Sequence, residues 1–294
     1  MRRNEPEGER TPRSEAVNDI IHEVGDEITA AVAVPGEITY LTLDRFFTFI
    51  GGTSVLFWRA LSYVVRGAVD MRETISQMSI IGVASLPIVL ITVTFSGMVL
   101  ALYSAQTLVA YGFGGQFVGG GVGLAIAREI GPALTAVVVA ARAGSSMAAE
   151  IGSMKVTEQV DALRALAVDP VQYLVVPRFL AALVMLPAIT IIADIVGIAG
   201  GYLVAMVNGV PSGSFISSLR ILAETNDFTM GLVKTFFFAA IISIVGCYEG
   251  LQTEGGASGV GRSTTRAVVL SIVLIYISNF FLAYVLFQGR TSGP

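Results

Sequence analysis

The sequence predicts an all-α membrane protein: an interfacial N-terminal helix, then about five transmembrane helices with a cytoplasmic helix between two of them. Three observations carry this prediction. Apolar residues make up 54% of the chain and charged residues only 14%, whereas a soluble domain carries about 25% charged residues. Mean hydropathy is +0.74. Crossing a hydrocarbon core of roughly 30 Å takes about 20 helical residues, and the segments 78–110, 124–147, 179–207, 229–249 and 267–287 reach that length.

In chain order, residues 1–40 form an acidic tail in which nine carboxylates outnumber four arginines. So few apolar residues cannot offset chain entropy, and the tail is expected to be disordered. The net charge of −4 is concentrated there, which leaves the membrane part near neutral and implies no nucleic-acid partner. No positive n-region followed by an apolar h-region opens the chain, so insertion is expected to rely on internal spans. Residues 41–288 form the transmembrane domain, and 289–294 a short C-terminal tail.

The 46–66 segment is apolar enough to span, but Gly51, Gly52 and Arg59 interrupt it and Arg45, Arg66 and Arg72 flank it. Aromatics such as Phe47, Phe57 and Trp58 beside these arginines fit a helix lying in the interface better than a span. The 78–110 segment carries Gly82, Pro87 and Gly97, and is expected to bend, or to dip in and return before crossing.

Lys155, Arg164 and Arg178 fall between the second and third spans, and Arg262 and Arg266 between the fourth and fifth. The opposite segments 111–123, 208–228 and 288–294 hold only Arg220 and Arg290. The basic side is expected to be cytoplasmic. Five spans then place the N-terminus inside and the C-terminus outside. Small residues four apart, at Ala136, Ala140 and Gly144 and at Gly197 and Gly201, allow close helix approach and weakly support a dimer seam.

Between 153 and 169, apolar Val156, Val160, Leu163 and Ala167 recur at helical spacing among polar Lys155, Glu158, Asp161 and Arg164. Pro170 ends the pattern. This is an amphipathic helix of about four turns on the cytoplasmic surface, either a plain linker or a device that docks a cytosolic partner.

Ionisable groups at membrane depth are costly and face a cavity or each other. Arg128 and Glu129 open the second span, Asp194 lies inside the third, and Lys234 lies one turn into the fourth. Adjacent Arg128 and Glu129 point apart and need separate partners, while Asp227 shares the face of Lys234 if its helix extends that far. For Arg128 and Lys234 snorkelling is the plain alternative, and for Asp194 a hydrogen bond that packs helices. Met98, Val99, Leu102, Tyr103 and Gln106 share a broad face of the first span, apolar with sparse polar groups, as a lipid pathway needs. Ordinary helix packing gives the same pattern.

One cysteine, Cys247, and one histidine, His22, leave no disulfide, metal site or Cys/His catalytic pair to build. No cofactor is expected. Gly256-Ala-Ser-Gly-Val-Gly-Arg-Ser263 departs from a phosphate-binding loop by Arg for Lys. It lies between two spans with no strand before it, and is expected to be a flexible loop with Arg262 and Arg266 as anchors.

The runs Ala127-Arg-Glu-Ile-Gly-Pro132, Ala141-Arg-Ala-Gly-Ser145, Ala149-Glu-Ile-Gly-Ser-Met154, Thr157-Glu-Gln-Val160, Ala167-Val-Asp-Pro170 and Pro177-Arg-Phe179 occur in this order. With Gly97-Met-Val-Leu100 and Ser263-Thr-Thr-Arg266, they resemble the MlaE/YrbE-type permease of the Mla lipid-transport ABC family over about 45–288. The resemblance implies a catalytically inert half-transporter in the bacterial cytoplasmic membrane that forms a homodimer. It implies a cytosolic ABC ATPase bound through the helix after the second span, with Glu158, Asp161, Ala162, Leu163 and Arg164 as coupling residues. It further implies an outer-face protein with MCE lipid-binding domains and, in some members, a STAS-domain protein beside the ATPase. The cargo is phospholipid or a related lipid, with Arg128, Glu129 and Lys234 joining the 98–106 face in its path. An ion-coupled carrier or a membrane-embedded lipid enzyme are the alternatives; inspection finds neither inverted repeats nor a catalytic constellation.

Overall fold

A computed structural model describes residues 47–111 and 115–287; the acidic tail, Arg45, Phe46 and the 289–294 tail lie outside them. The described residues from Thr53 onward form one compact unit, and all packing below concerns that unit. Among the described residues there is no strand. Six helices are long and apolar enough to cross a membrane: α1 Phe47–Val65, α2 Met71–Leu108, α3 Val118–Val156, α5 Val171–Val207, α7 Thr225–Leu251 and α8 Gly256–Phe287. Two shorter ones lie between them, α4 Gln159–Ala165 and α6 Ser212–Leu222. The sixth candidate is α1, the least apolar of the set.

Four π turns interrupt these helices, at Ser79–Val83 in α2, Ile126–Ile130 and Ala140–Gly144 in α3, and Val171–Val175 in α5. A π turn shifts backbone hydrogen bonds by one residue and strands a carbonyl, which in lipid must find another donor. Side chains supply it. The Ala84 amide bonds to Ser79 O, and Ile80 O accepts from Arg142 Nη1 at 3.0 Å. The Ser145 amide bonds to Ala140 O, and the Ser145 hydroxyl donates to Ala141 O at 2.6 Å. Arg178 Nη1 donates to Leu174 O at 2.7 Å. The bend expected in the first span falls at Ser79–Ser85, just before Pro87, whose missing N–H cannot continue the ladder.

The predicted small residues pack inside the chain. A Cβ on Gly97 would run into the Gly197 carbonyl, and Gly246 sits against Gly144 O, so α2 closes on α5 and α3 on α7. The buried cluster of Val93, Val139, Ala193, Phe238 and Ile242 fills the middle. At the α4 end, Leu56, Ile151, Val160 and Phe179 form a second cluster, with Phe57 edge-on to Phe179 at 5.9 Å. At the other end, Val118, Val122 and Phe215 form a third.

Two expectations are corrected at the α4 end. The four-turn helix over 153–169 is a two-turn one, because α3 continues through Ser153–Val156 and Glu158 breaks it with φ of 59°. At its far end Val168 N bonds to Leu163 O and Ala167 N to Arg164 O, a Schellman stop with Ala167 at φ 61°. The 250–266 segment is likewise not a flexible loop. α7 runs to Leu251 and α8 starts at Gly256, with Gly255 at φ 85° turning the chain between them.

Candidate functional site

The charged residues of α3 and α7 form one knot, and its geometry follows from Pro132. Proline has no amide to give the Arg128 carbonyl four residues back, and the Ile126–Ile130 π turn opens the helix at the same point. Lys234 Nζ fills the gap, donating to Arg128 O at 2.8 Å, Glu129 Oε1 at 2.6 Å and Asn279 Oδ1 at 3.1 Å. That uses all three ammonium protons. Asn279 Nδ2 donates to the other Glu129 oxygen at 2.7 Å, closing a triangle across α3, α7 and α8. Gly231 makes the approach feasible, since a Cβ there would meet the Ala127 carbonyl.

Arg128 turns the other way, as adjacency predicts. Its Nε and Nη2 donate to Asp227 Oδ1 at 3.0 and 2.8 Å. The second Asp227 oxygen accepts from the Glu224 amide at 3.0 Å and caps α7. α7 therefore does extend far enough for Asp227 to share the Lys234 face. Phe287 lies over both cations, 4.7 Å from Arg128 and 5.1 Å from Lys234.

Two positive and two negative side chains cancel, which is how charge survives at membrane depth. Lys234 is fully buried and Asp227 is 1% exposed, so Lys234 does not snorkel. Arg128 keeps 27% of its side chain exposed. Asn279 and Phe287 went unnoticed in the sequence, although α8 offers Asn279 as a lone amide in an apolar run.

On α2, Val99 and Tyr103 are exposed and line a cavity of about 440 Å³ with Phe95, Ser96 and Leu100. Leu102 is half-buried at the edge of that stripe and Gln106 is exposed. Met98 is turned toward α5, its Cγ 3.3 Å from where a Cβ on Gly200 would sit. The five residues therefore do not share one open face.

On α4, Val160 is buried and Leu163 packs inward with it, so Leu163 faces the chain's own core. Glu158, Ala162 and Arg164 point outward. Asp161 is exposed but held between Lys155 at 2.9 Å and Arg164 at 2.8 Å, and the hydrogen bond from Lys155 keeps its carboxyl below the usual range. Leu166, 74% exposed, is an outward apolar residue that sequence reasoning missed; it lies four residues beyond Ala162 and eight beyond Glu158. Asp169 anchors the loop, accepting from Arg59 at 2.8 Å, Tyr63 at 2.6 Å and the Val171 amide at 2.9 Å. Burial raises the Asp169 carboxyl, and those three donors outweigh it and leave it below its usual range.

Asp194 departs from expectation: no hydrogen bond packs it, and Oδ1 is buried without a partner.

Comparison with known proteins then places the arrangement. The model of the Permease MlaE family matches residues 74–285, which take in the knot, the α2 stripe and α4. A probable ABC transporter permease protein of Synechocystis is 42% identical over 249 residues, 84% of this chain and 94% of that protein. A probable ABC transporter permease protein of Rickettsia felis is 42% identical over 253 residues, 83% of this chain and 94% of its own. The chloroplastic protein TRIGALACTOSYLDIACYLGLYCEROL 1 of Arabidopsis thaliana is 38% identical over 243 residues, 79% of this chain and 69% of its own. The charge-balanced knot and the outward loop helix thus sit in a multi-pass ABC transporter permease, a transporter membrane subunit rather than an enzyme, and the chain belongs to the MlaE permease family.

Proposed function

We propose that this chain moves phospholipid or a related lipid, working as a homodimer with a separate cytosolic ABC ATPase and an outer-face MCE-domain protein. A STAS-domain protein joins the ATPase where the system has one. The observation that carries this reading is Arg128: half-buried beside Phe287, with Nε and Nη2 committed to Asp227 and, among the described residues, no hydrogen bond from Nη1. A guanidinium with one donor edge open suits the phosphate of a lipid headgroup. The plant relative's name contains a diacylglycerol lipid, which favours a cargo with acyl chains. Within the knot, Glu129 and Asp227 are each matched by a cation, so neither is free to bind a coupling ion.

In this reading α4 is the ATPase dock. Glu158, Ala162 and Leu166 form its outward edge, Asp161 and Arg164 its charged flank, and Leu163 anchors it from behind. The membrane is the bacterial cytoplasmic one, with the basic α4 end and the N-terminus inside and α1 lying in the interface. The exposed row Val273, Tyr276, Phe280 and Tyr284 of α8 is the surface offered to the second copy.

The test is ATP-dependent transfer of a labelled phospholipid out of vesicles holding the chain and its ATPase. Arg128→Gln keeps a neutral hydrogen-bonding side chain but loses the charge, and should slow transfer about tenfold, the worth of one charge-assisted hydrogen bond. Transfer at the parental rate would remove Arg128 from the lipid's path.

A further inference from the structure

Between α5 and α7, on the side of α7 away from Asp227 and Lys234, runs an open groove of about 510 Å³ lined by Ile191, Asp194, Ile195, Thr225, Phe228 and Thr229 among others. Its walls are apolar except for one carboxyl and two hydroxyls. Asp194 is 4% exposed, Oδ1 has no hydrogen-bond partner, and among the described residues no cation reaches it. The carboxyl is nonetheless accommodated: a Cβ on Gly131 would overlap Oδ1, so the glycine of Ile130-Gly131-Pro132 is what leaves it room. One turn on, the Thr135 hydroxyl is also buried without a partner.

An unmatched carboxyl at this depth is expensive, and such groups face a cavity or a counter-charge. Here the counter-charge is missing among the described residues, Oδ1 is turned against Gly131 of α3, and Asp194 lines the groove. The threonines belong to the first turns of α7, which puts Asp194 level with that end of the helix. The apolar walls suit a chain, and the carboxyl suits a cation attached to it.

We propose that this groove is a lipid subsite for an amine-bearing phospholipid of the surrounding leaflet, of the ethanolamine class. Its ammonium donates to Asp194, and Ile191, Ile195 and Phe228 flank the acyl chain. The subsite is separate from the Arg128 knot and does not rest on the transport reading. It recognises a positive group, the knot a negative one.

The full chain is reconstituted in phosphatidylglycerol vesicles with and without phosphatidylethanolamine, and retained lipid is read by native mass spectrometry. Wild type should retain phosphatidylethanolamine over phosphatidylglycerol by about tenfold, the scale of one charge-assisted hydrogen bond. Asp194→Asn should abolish the preference, and Ile195→Trp, which fills the groove without touching the carboxyl, should do the same. An unchanged preference in Asp194→Asn overturns the proposal. If Asp194→Asn fails to fold, the preference in Ile195→Trp decides by itself, and its persistence there overturns the proposal.

Discussion

Lys234 gives two of its protons to α3 and one to α8, so its removal leaves the Arg128 carbonyl, Glu129 and Asn279 short of a donor at once. Breaking one side of a buried pair costs about 3 kcal/mol, whereas removing both partners is far milder. Lys234→Met should therefore lower unfolding stability in detergent by about that amount, and Glu129→Gln combined with it should recover part of the loss. Strictly additive losses would mean the two side chains are not coupled. Asp169 gives a pH prediction. Its carboxyl lies below the unfolded value of about 4, so its contribution, about 1 kcal/mol, is complete above that pH and lost as pH falls through the lower folded value. Proteolysis of the 157–170 loop should thus be flat from pH 7 to about 5 and rise below about 4, and Asp169→Asn should show the open-loop rate at neutral pH. At this scale the sequence shows which residues are ionisable and that Arg128 and Glu129 diverge. Their partners are long-range facts: Lys234 lies 105 residues from Glu129 and Asn279 150.

Among the elements, the apolar spans and the amphipathic loop helix are legible in the sequence because hydropathy and period act locally. The π turns are not. They arise where Pro87 and Pro132 break the ladder and where Arg142, Ser145, Arg178 and Lys234 supply side-chain donors to carbonyls, so motifs such as Ala-Arg-Ala-Gly-Ser145 encode helix repair as well as packing. The α4 boundaries were misplaced for a related reason. Helical spacing carries Ala167 onto the face of Val160, but left-handed Glu158 and Ala167 bracket the helix, and a period cannot foresee a left-handed non-glycine residue. That geometry costs about 1–2 kcal/mol per residue, here retained at both ends of the proposed dock.

Over the whole molecule, the reading of α1 decides the topology. With α1 in the interface and five spans, Ser14 and Thr291 lie on opposite sides, whereas a spanning α1 would put them on the same side, so cysteines placed there in a Cys247→Ala background should label from opposite faces of sealed vesicles. Labelling from one side would overturn that topology. The family and the multi-pass fold are read from sequence and structure together, while coupling to a motor is the claim on which the function turns. The most direct test is Glu158→Lys combined with Leu166→Asp, which reverses and polarises the outward edge of α4 without touching Val160 or Leu163. Central anchors of a small interface are worth about 2 kcal/mol or more each. The measurement is ATPase co-purification together with phospholipid-stimulated hydrolysis in the reconstituted complex. The account predicts that one or both fall at least about tenfold while the chain still inserts and dimerises; parental values of both would contradict it and leave α4 a plain linker.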